Sequence, residues 1–272
     1  MLSLRVPLFA VDEQRRIADF LDDRVSQIDR IIAARREQIE WLDEMATSEL
    51  VSRALNGSDL MPLRHLIVSE RLGLWGSEAG EDEVDVQVAR VADFNRAEFR
   101  LHGISTVRSA PSTHVALRRL QHGDVLLERS GGTQRNPVGC PAYVDSPGMG
   151  MVCSNFVSRL RPADDVDGRY LSLLLGALYA SRQQAPHSTQ TTGIMNLNTG
   201  SYFRTGVPVR TIVEQGQIGA AMESSLTATA ASQEQLRRSI SLLAEYKSSL
   251  ITAAVTGEFD VTAAGSNSGM IR

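Results

Sequence analysis

A segment that occurs twice constrains this chain more than anything else in it. Val6-Pro7-Leu8-Phe9-Ala10-Val11-Asp12-Glu13-Gln14-Arg15-Arg16-Ile17 returns as Val207-Pro208-Val209-Arg210-Thr211-Ile212-Val213-Glu214-Gln215-Gly216-Gln217-Ile218, with Val, Pro, Glu-Gln and Ile in one register. Each copy opens a long helical stretch. The stretches close on Arg53-Ala54-Leu55-Asn56-Gly57 and Ala253-Ala254-Val255-Thr256-Gly257, one residue out of that register. A duplication of this kind sets the architecture before any single motif is weighed.

Pro7 biases its predecessor toward extended geometry, so residues 1 to 11 read as an extended piece. Asp12 then reads as the helix cap, with Glu13 adding negative charge at the positive end of the helix dipole. Ile17, Leu21, Val25, Ile28, Ile32, Ile39, Leu42, Ala46 and Leu50 step by three or four, apart from a gap at Arg35. Mixed charge flanks this narrow apolar seam, the pattern of a coiled-coil helix. Asn56-Gly57 suits a left-handed cap at its end. A helix from about 13 to 55 would be about 65 Å long at ~1.5 Å per residue. It needs a partner, and the second copy supplies a similar seam in Ile218, Met222, Leu226, Leu236, Ile240, Leu243, Leu250 and Ile251, interrupted by the small and polar stretch Thr227 to Ser232. Both helices join the same insert, so they are expected to be antiparallel with the globular domain at one end.

The insert has a different texture. Short apolar runs at 84–91, 125–127, 138–144 and 155–160 read as strands between Gly, Pro, Ser and Asn turns. One helix is expected from about Gly168 to Gln184, capped by Asp167, with Tyr170, Leu171, Leu174, Leu175 and Leu178 on one face. The fold class is α+β: a strand-rich globular domain at 59–206, inserted between long antiparallel coiled-coil helices at 1–58 and 207–258. Residues 259–272 form a small, polar, flexible tail.

Composition mainly excludes. The net charge of -4 gives no global argument for nucleic acid, so any such site must be local. Residues 86 to 136 do carry eight Arg against Asp93, Glu98, Asp124 and Glu128. Cys140 and Cys153 lie apart from each other and from any His cluster, and read as reduced thiols rather than a zinc site. There is no secretory signal, and no apolar run is long enough to span a membrane. A phosphate-binding loop is excluded because Lys247, the only lysine, follows Tyr246. Glu245-Tyr246-Lys247 has nuclease-like spacing but sits on a helix face. Gly148-Met149-Gly150 reads as a turn, and Ser130 lies in no nucleophile elbow. No Asn/Asp-Pro-Pro-aromatic tetrapeptide, the mark of amino-methyl transfer, is present.

Three polar stretches carry what chemistry remains. Gly123 to Pro137 is a strand running into a loop with Arg129, Ser130, Thr133, Gln134, Arg135 and Asn136. Pro186 to Asn196 holds Ser188, Thr189, Gln190, Thr191, Thr192 and Asn196. Ser69 to Ser77 holds Arg71 and Trp75. Arg, Gln and Asn match purine edges bidentately, and Gly lets backbone approach a phosphate. Each stretch taken alone also reads as an ordinary surface loop.

The doubled Pro-x5-Glu-Gln-x2-Ile helix openings and the Ala-x2-Gly helix ends frame Gly-Asp-Val-Leu-Leu-Glu-Arg-Ser-Gly-Gly, Asn155-Phe156, Tyr170-Leu171 and Asn196-Leu197. In this the chain resembles the specificity (S) subunit of type I restriction-modification systems over nearly its whole length. The resemblance implies a target-recognition domain reading half of a bipartite DNA site, and spacer helices that set the half-site distance and dock methyltransferase (M) subunits. It implies no catalysis by this chain and no bound cofactor, with S-adenosylmethionine, ATP and Mg in the M and restriction (R) partners, all in the cytoplasm. DNA contacts are expected from Arg71, Trp75, Arg108, Arg129, Ser130, Thr133, Gln134, Arg135, Asn136, Ser188, Thr189, Gln190, Thr191, Thr192 and Asn196. The family's pattern is domain, helix, domain, helix. Here the first domain is missing and Leu2 to Phe9 looks like the tail of its last strand, as in a half subunit or a truncated gene. A half subunit could restore two-fold symmetry as a homodimer on a palindromic bipartite site. The competing class is a coiled-coil scaffold whose insert binds protein.

Overall fold

The structure, a computed structural model, describes residues 7–134, 136–148, 150–191 and 193–259. The expectations for residues 1–6, Arg135, Met149 of the expected turn, Thr192 and the tail from 260 to 272 lie outside the described residues. The described residues form five α-helices: α1 (Val11–Leu55), α2 (Ser112–Arg118), α3 (Gly168–Ala180), α4 (Thr199–Tyr202) and α5 (Ile212–Thr256). The chain divides into two compact units, Met1–Glu44 with Thr229–Arg272, and Met45–Ala228.

In the first unit α1 and α5 pack antiparallel along the expected seam. Ile17 packs with Ala254, and Ile28 and Ile32 with Leu250. Lys247 Nζ donates to both carboxylate oxygens of Asp29 at 2.7 Å, which accounts for the only lysine. Gln233, buried just past the small polar stretch, donates to Asp43 Oδ1 at 2.7 Å. At the gap in the seam Arg35 is half-buried and donates to Gln38 Oε1 at 3.0 Å. Asp12 is not the cap. The helix starts at Val11, two residues before the expected Glu13, with the Ala10 carbonyl accepting from Glu13 and Gln14. Asp12 therefore lies in the first turn, where its charge still complements the dipole. At the far end of α5 Gly257 takes φ 76°, the left-handed cap.

The second unit is built on a six-stranded sheet in the order Ile67–Leu72, Val157–Pro162, Val125–Glu128, Pro141–Tyr143, Arg100–Leu101, Phe94–Asn95. All its pairings are antiparallel except that of Arg100 with Tyr143. α3 packs across the central strands, and Leu126, Leu160, Leu171, Leu174, Leu175 and Leu178 are fully buried between them. Each such side chain contributes about 1.5–3 kcal/mol of apolar burial. Ala46, Leu50 and Ala54 of α1 and Met222 and Leu226 of α5 enter this same core. A second sheet joins Val152–Cys153, Val84–Ala89 and Val107–Ala110, and Leu60–Pro62 pairs with Gly206–Pro208 where the chain leaves one long helix and enters the other.

The strands expected at 84–91, 125–127, 138–144 and 155–160 stand close to where hydrophobic runs placed them. Asp167 caps α3 as its sequence requires, accepting from Tyr170 N at 2.7 Å. Two details differ. α3 stops at Ala180 rather than Gln184, because Arg182 adopts φ 60° and turns the chain. It is also buried from Arg169 through Leu178 rather than on one face. At the end of α1, Gly57 takes φ 157°, not the left-handed helical value, because the chain must pass directly against Pro208 into the two-stranded pairing.

Candidate nucleic-acid interface

Two of the polar stretches are strands and not free loops, and pairing brings them together. Ser188–Thr191 pairs with Ile194–Leu197, which pairs in turn with Ser130–Gly132. The alternation of Thr with other polar residues, and Gly193 at φ 84° in the turn, favour a hairpin over a loop. Leu197 N donates to the Arg129 carbonyl at 2.8 Å, and Ser130 Oγ to Asn196 Oδ1 at 2.6 Å. Ser188 turns back to the Gln184 carbonyl, while Thr189 and Gln190 are exposed. Thr191 lies in the strand, facing Ile194 across the turn. Thr133 and Asn136 close a turn on each other: Thr133 N donates to the Asn136 carbonyl at 2.8 Å, and Asn136 N to Thr133 Oγ1 at 3.1 Å. Gln134 is left exposed. A Cβ on Gly132 would lie 2.5 Å from Val138 N, so the strand can approach this turn only as glycine.

The third stretch splits. Arg71 lies in Ile67–Leu72 beside Arg159, whereas Glu70, one residue earlier on the alternating strand, reaches Arg129 at 3.6 Å and accepts from Ser158 at 2.9 Å. Arg71 is thus on the opposite face of the strand from the Arg129 contact. Beyond the strand Trp75 carries the Arg108 guanidinium 4.5 Å over its ring, and Arg108 is itself ion-paired with Glu78.

The local arginine surplus changes once the chain is folded. Within residues 86–136, Arg90 pairs with Asp93 and Arg96 with Glu128. The rest of the pairing comes from outside that window: Arg100 meets Glu223 and Asp145, Arg108 meets Glu78, and Arg129 meets Glu70. A different group stands without a carboxylate partner among the described residues. Arg71 is the register neighbour of Arg159, Arg159 Nη1 donates to the Arg119 carbonyl at 3.1 Å, and Arg118 Nε to the Leu72 carbonyl at 3.2 Å. Burial, then neighbouring Arg161, lowers the pKa of Arg159, while Arg161 is committed to both oxygens of Asp124.

Beside the hairpin sheet lies a cavity of about 380 Å³ bordered by Trp75, Val91, Ala92, Glu128, Asn155 and Phe156. Glu128 is 1% exposed, and its Oε2 accepts from Arg96 at 2.8 Å. Burial raises its pKa, against the opposing charge and hydrogen bond of Arg96. Arg96 also donates to the Tyr179 hydroxyl at 3.0 Å. Cys140 and Cys153 are free and buried, and burial pushes both thiols up to about 12, so they stay protonated at neutral pH. Among the described residues no three His, Cys, Asp or Glu side chains are grouped to hold a metal, and no helix is long and apolar enough to cross a membrane.

No family model and no curated protein matches the chain. Solved structures do. A chain from work on the complex assembly and conformational transition of the type I R-M system superposes with a TM-score of 0.70 at 18% identity, covering 93% of this chain and 62% of that one. The HsdS subunit from Thermoanaerobacter tengcongensis gives 0.51 at 19% identity, covering 93% and 60%. The fold is that of a type I specificity subunit. The chain spans about three-fifths of the length of the structures it matches.

Within this specificity-subunit fold several of the expected contact residues meet on the hairpin sheet, while Arg118, Arg119 and Arg159 gather beside Arg71 with no expectation attached to them. Nothing local marks them. They converge because Val157–Pro162 lies next to Ile67–Leu72 in the sheet, a pairing that no short window of sequence displays. The pairing of Arg108 and Arg129 with Glu78 and Glu70 is equally hidden.

Proposed function

We propose that this chain is the sequence-specific DNA-recognition subunit of a type I restriction-modification complex, reading one half of a bipartite site and helping to set its spacing. The observation that carries the reading is the fold match over 93% of the chain to a chain of a type I R-M system. It is supported by the convergence of Ser130, Asn196 and the exposed Thr189 and Gln190 on one small sheet. The chain itself is non-catalytic in this reading. M and R subunits, acting in the cytoplasm, supply the chemistry with S-adenosylmethionine, ATP and Mg. Two recognition domains are needed for a bipartite site, and a second copy of this chain, related by a two-fold axis, would supply the other.

Genome-wide mapping of methylated bases with the gene present and deleted tests this directly. The expected result is loss of one bipartite methylated motif on deletion, palindromic if the chain acts as a homodimer. An unchanged methylation map in a strain expressing the M subunits would refute the assignment, and an asymmetric motif would refute the homodimer alone.

A further inference from the structure

The cavity between Trp75 and Phe156 borders the hairpin sheet at Ser130 and Gly131 but is a separate recess whose occupant the DNA-reading assignment leaves unspecified. Its volume, about 380 Å³, falls within the range of small-molecule sites. Trp75 and Phe156 border it, and both keep exposed surface, 36% and 45%. The indole is not free to wander. The Arg108 guanidinium covers one of its faces and Glu78 holds that guanidinium in turn.

Glu128 is the acid of the cavity, whose border also includes Arg90, held by Asp93, together with Ser130, Ser154 and Asn155. Arg96 occupies Oε2, and among the described residues no donor is bonded to Oε1. A nearly buried carboxylate oxygen with no partner accepts N–H donors and disfavours carbonyl oxygens, which carry the same sign of partial charge. Aromatic borders select a flat ring with exposed π faces. Both demands are met by a nucleobase bearing an exocyclic amine. Adenine and cytosine present such a donor at the ring position where guanine, thymine and uracil present a carbonyl oxygen.

We propose that this cavity binds an amine-bearing nucleobase, adenine or cytosine, stacked on the aromatic border and donating its exocyclic amine to Glu128 Oε1. The base could come from an extrahelical nucleotide in DNA or from a free nucleoside. The proposal rests on the DNA-reading assignment only for the first of these sources.

The full chain with Trp41→Phe leaves Trp75 as its only tryptophan and so reports on the site. Its fluorescence is titrated with adenosine, cytidine and uridine, then with duplexes carrying a single-nucleotide A, C or T bulge and with an unbulged duplex. A saturable change is expected with adenosine or cytidine at least tenfold tighter than with uridine, and Phe156→Ala, an exposed position, should weaken it at least tenfold. Glu128→Gln should erase the preference over uridine. If that buried variant does not fold, Phe156→Ala still decides. A response to bulged A or C stronger than to the nucleosides identifies the extrahelical source, and the reverse identifies the free nucleoside. No saturable response to any ligand, equal response to uridine, or an unaffected Phe156→Ala variant overturns the proposal. Duplex retention in a gel shift with no Trp75 response to any nucleoside or bulged duplex overturns the cavity assignment while leaving the DNA-reading assignment intact.

Discussion

Arg96 and Glu128 show how a single pairing governs a buried site. Glu128 is almost wholly enclosed, and only the Arg96 guanidinium makes its charge tolerable there. Removing one partner of a buried pair costs about 3–5 kcal/mol, because the other charge is left uncompensated. Arg96→Ala should therefore lower stability by about that amount at neutral pH, read from urea denaturation. The pH dependence has a fixed sign. Burial already raises the Glu128 pKa, so between its unfolded and folded values the native state holds the extra proton, and stability falls as pH rises through that window. Without Arg96 the folded value climbs further and the window extends upward. The deficit of the variant should be greatest near neutrality and shrink on acidification toward the ordinary carboxylate range. A deficit independent of pH would mean that packing of the Arg96 stem, not its charge, is what the site requires. Neighbouring Cys140 and Tyr179 are both neutral at these pH values, so they do not alter the sign.

Among the elements, the repeated helix openings are read most directly from sequence, and the structure gives the repetition a physical content. Gln14 Nε2 donates to the Phe9 carbonyl at 2.8 Å, and Gln215 Nε2 donates to the Arg210 carbonyl at 3.0 Å, the same bond in both copies. Gln215 does more. It is 2% exposed, donates to the Asp165 carbonyl at 3.2 Å and accepts from Asp167 N at 2.9 Å, so it fastens the start of α5 to the cap of α3. Thr211 and Glu214 add a reciprocal cap, Thr211 N donating to Glu214 Oε2 at 2.7 Å and Glu214 N to Thr211 Oγ1 at 3.3 Å. Gln215→Ala should cost about 1–3 kcal/mol, because buried backbone groups lose their partners, whereas the exposed Gln14→Ala should stay within about 0.5 kcal/mol. Equal losses in thermal unfolding of the two variants would refute the distinction. Helices were legible because their periodicity is local: Ile17, Ile28, Ile32 and Leu50 state their seam within a few turns. The hairpin at 188–197 was not. Its side chains are polar, and its third strand, Ser130–Gly132, lies far away in sequence.

For the whole molecule the charge balance decides how DNA would be held. A chain of net charge -4 cannot rely on its overall field, and most of the apparent arginine surplus at 86–136 is spent on ion pairs with Glu70, Glu78, Asp145 and Glu223. These pairs were illegible in sequence because each acid comes from a segment outside the window. Arginines that already face a carboxylate release few counterions on binding, whereas Arg71 and Arg119, exposed and without a carboxylate partner among the described residues, remain available to phosphates. Each phosphate contact contributes about 0.9 to the slope of log affinity against log salt. Replacing Arg71 or Arg119 by Gln should therefore weaken duplex binding uniformly across sequences and flatten that slope by about one. Arg108→Gln, which removes a charge already met by Glu78, should leave the slope unchanged. Fluorescence anisotropy of a labelled duplex across a salt series, with the M subunits present, separates these cases. A slope that falls for Arg108→Gln but not for Arg71→Gln or Arg119→Gln would move the phosphate-binding face from the Arg71 cluster to the side of the domain that carries Trp75.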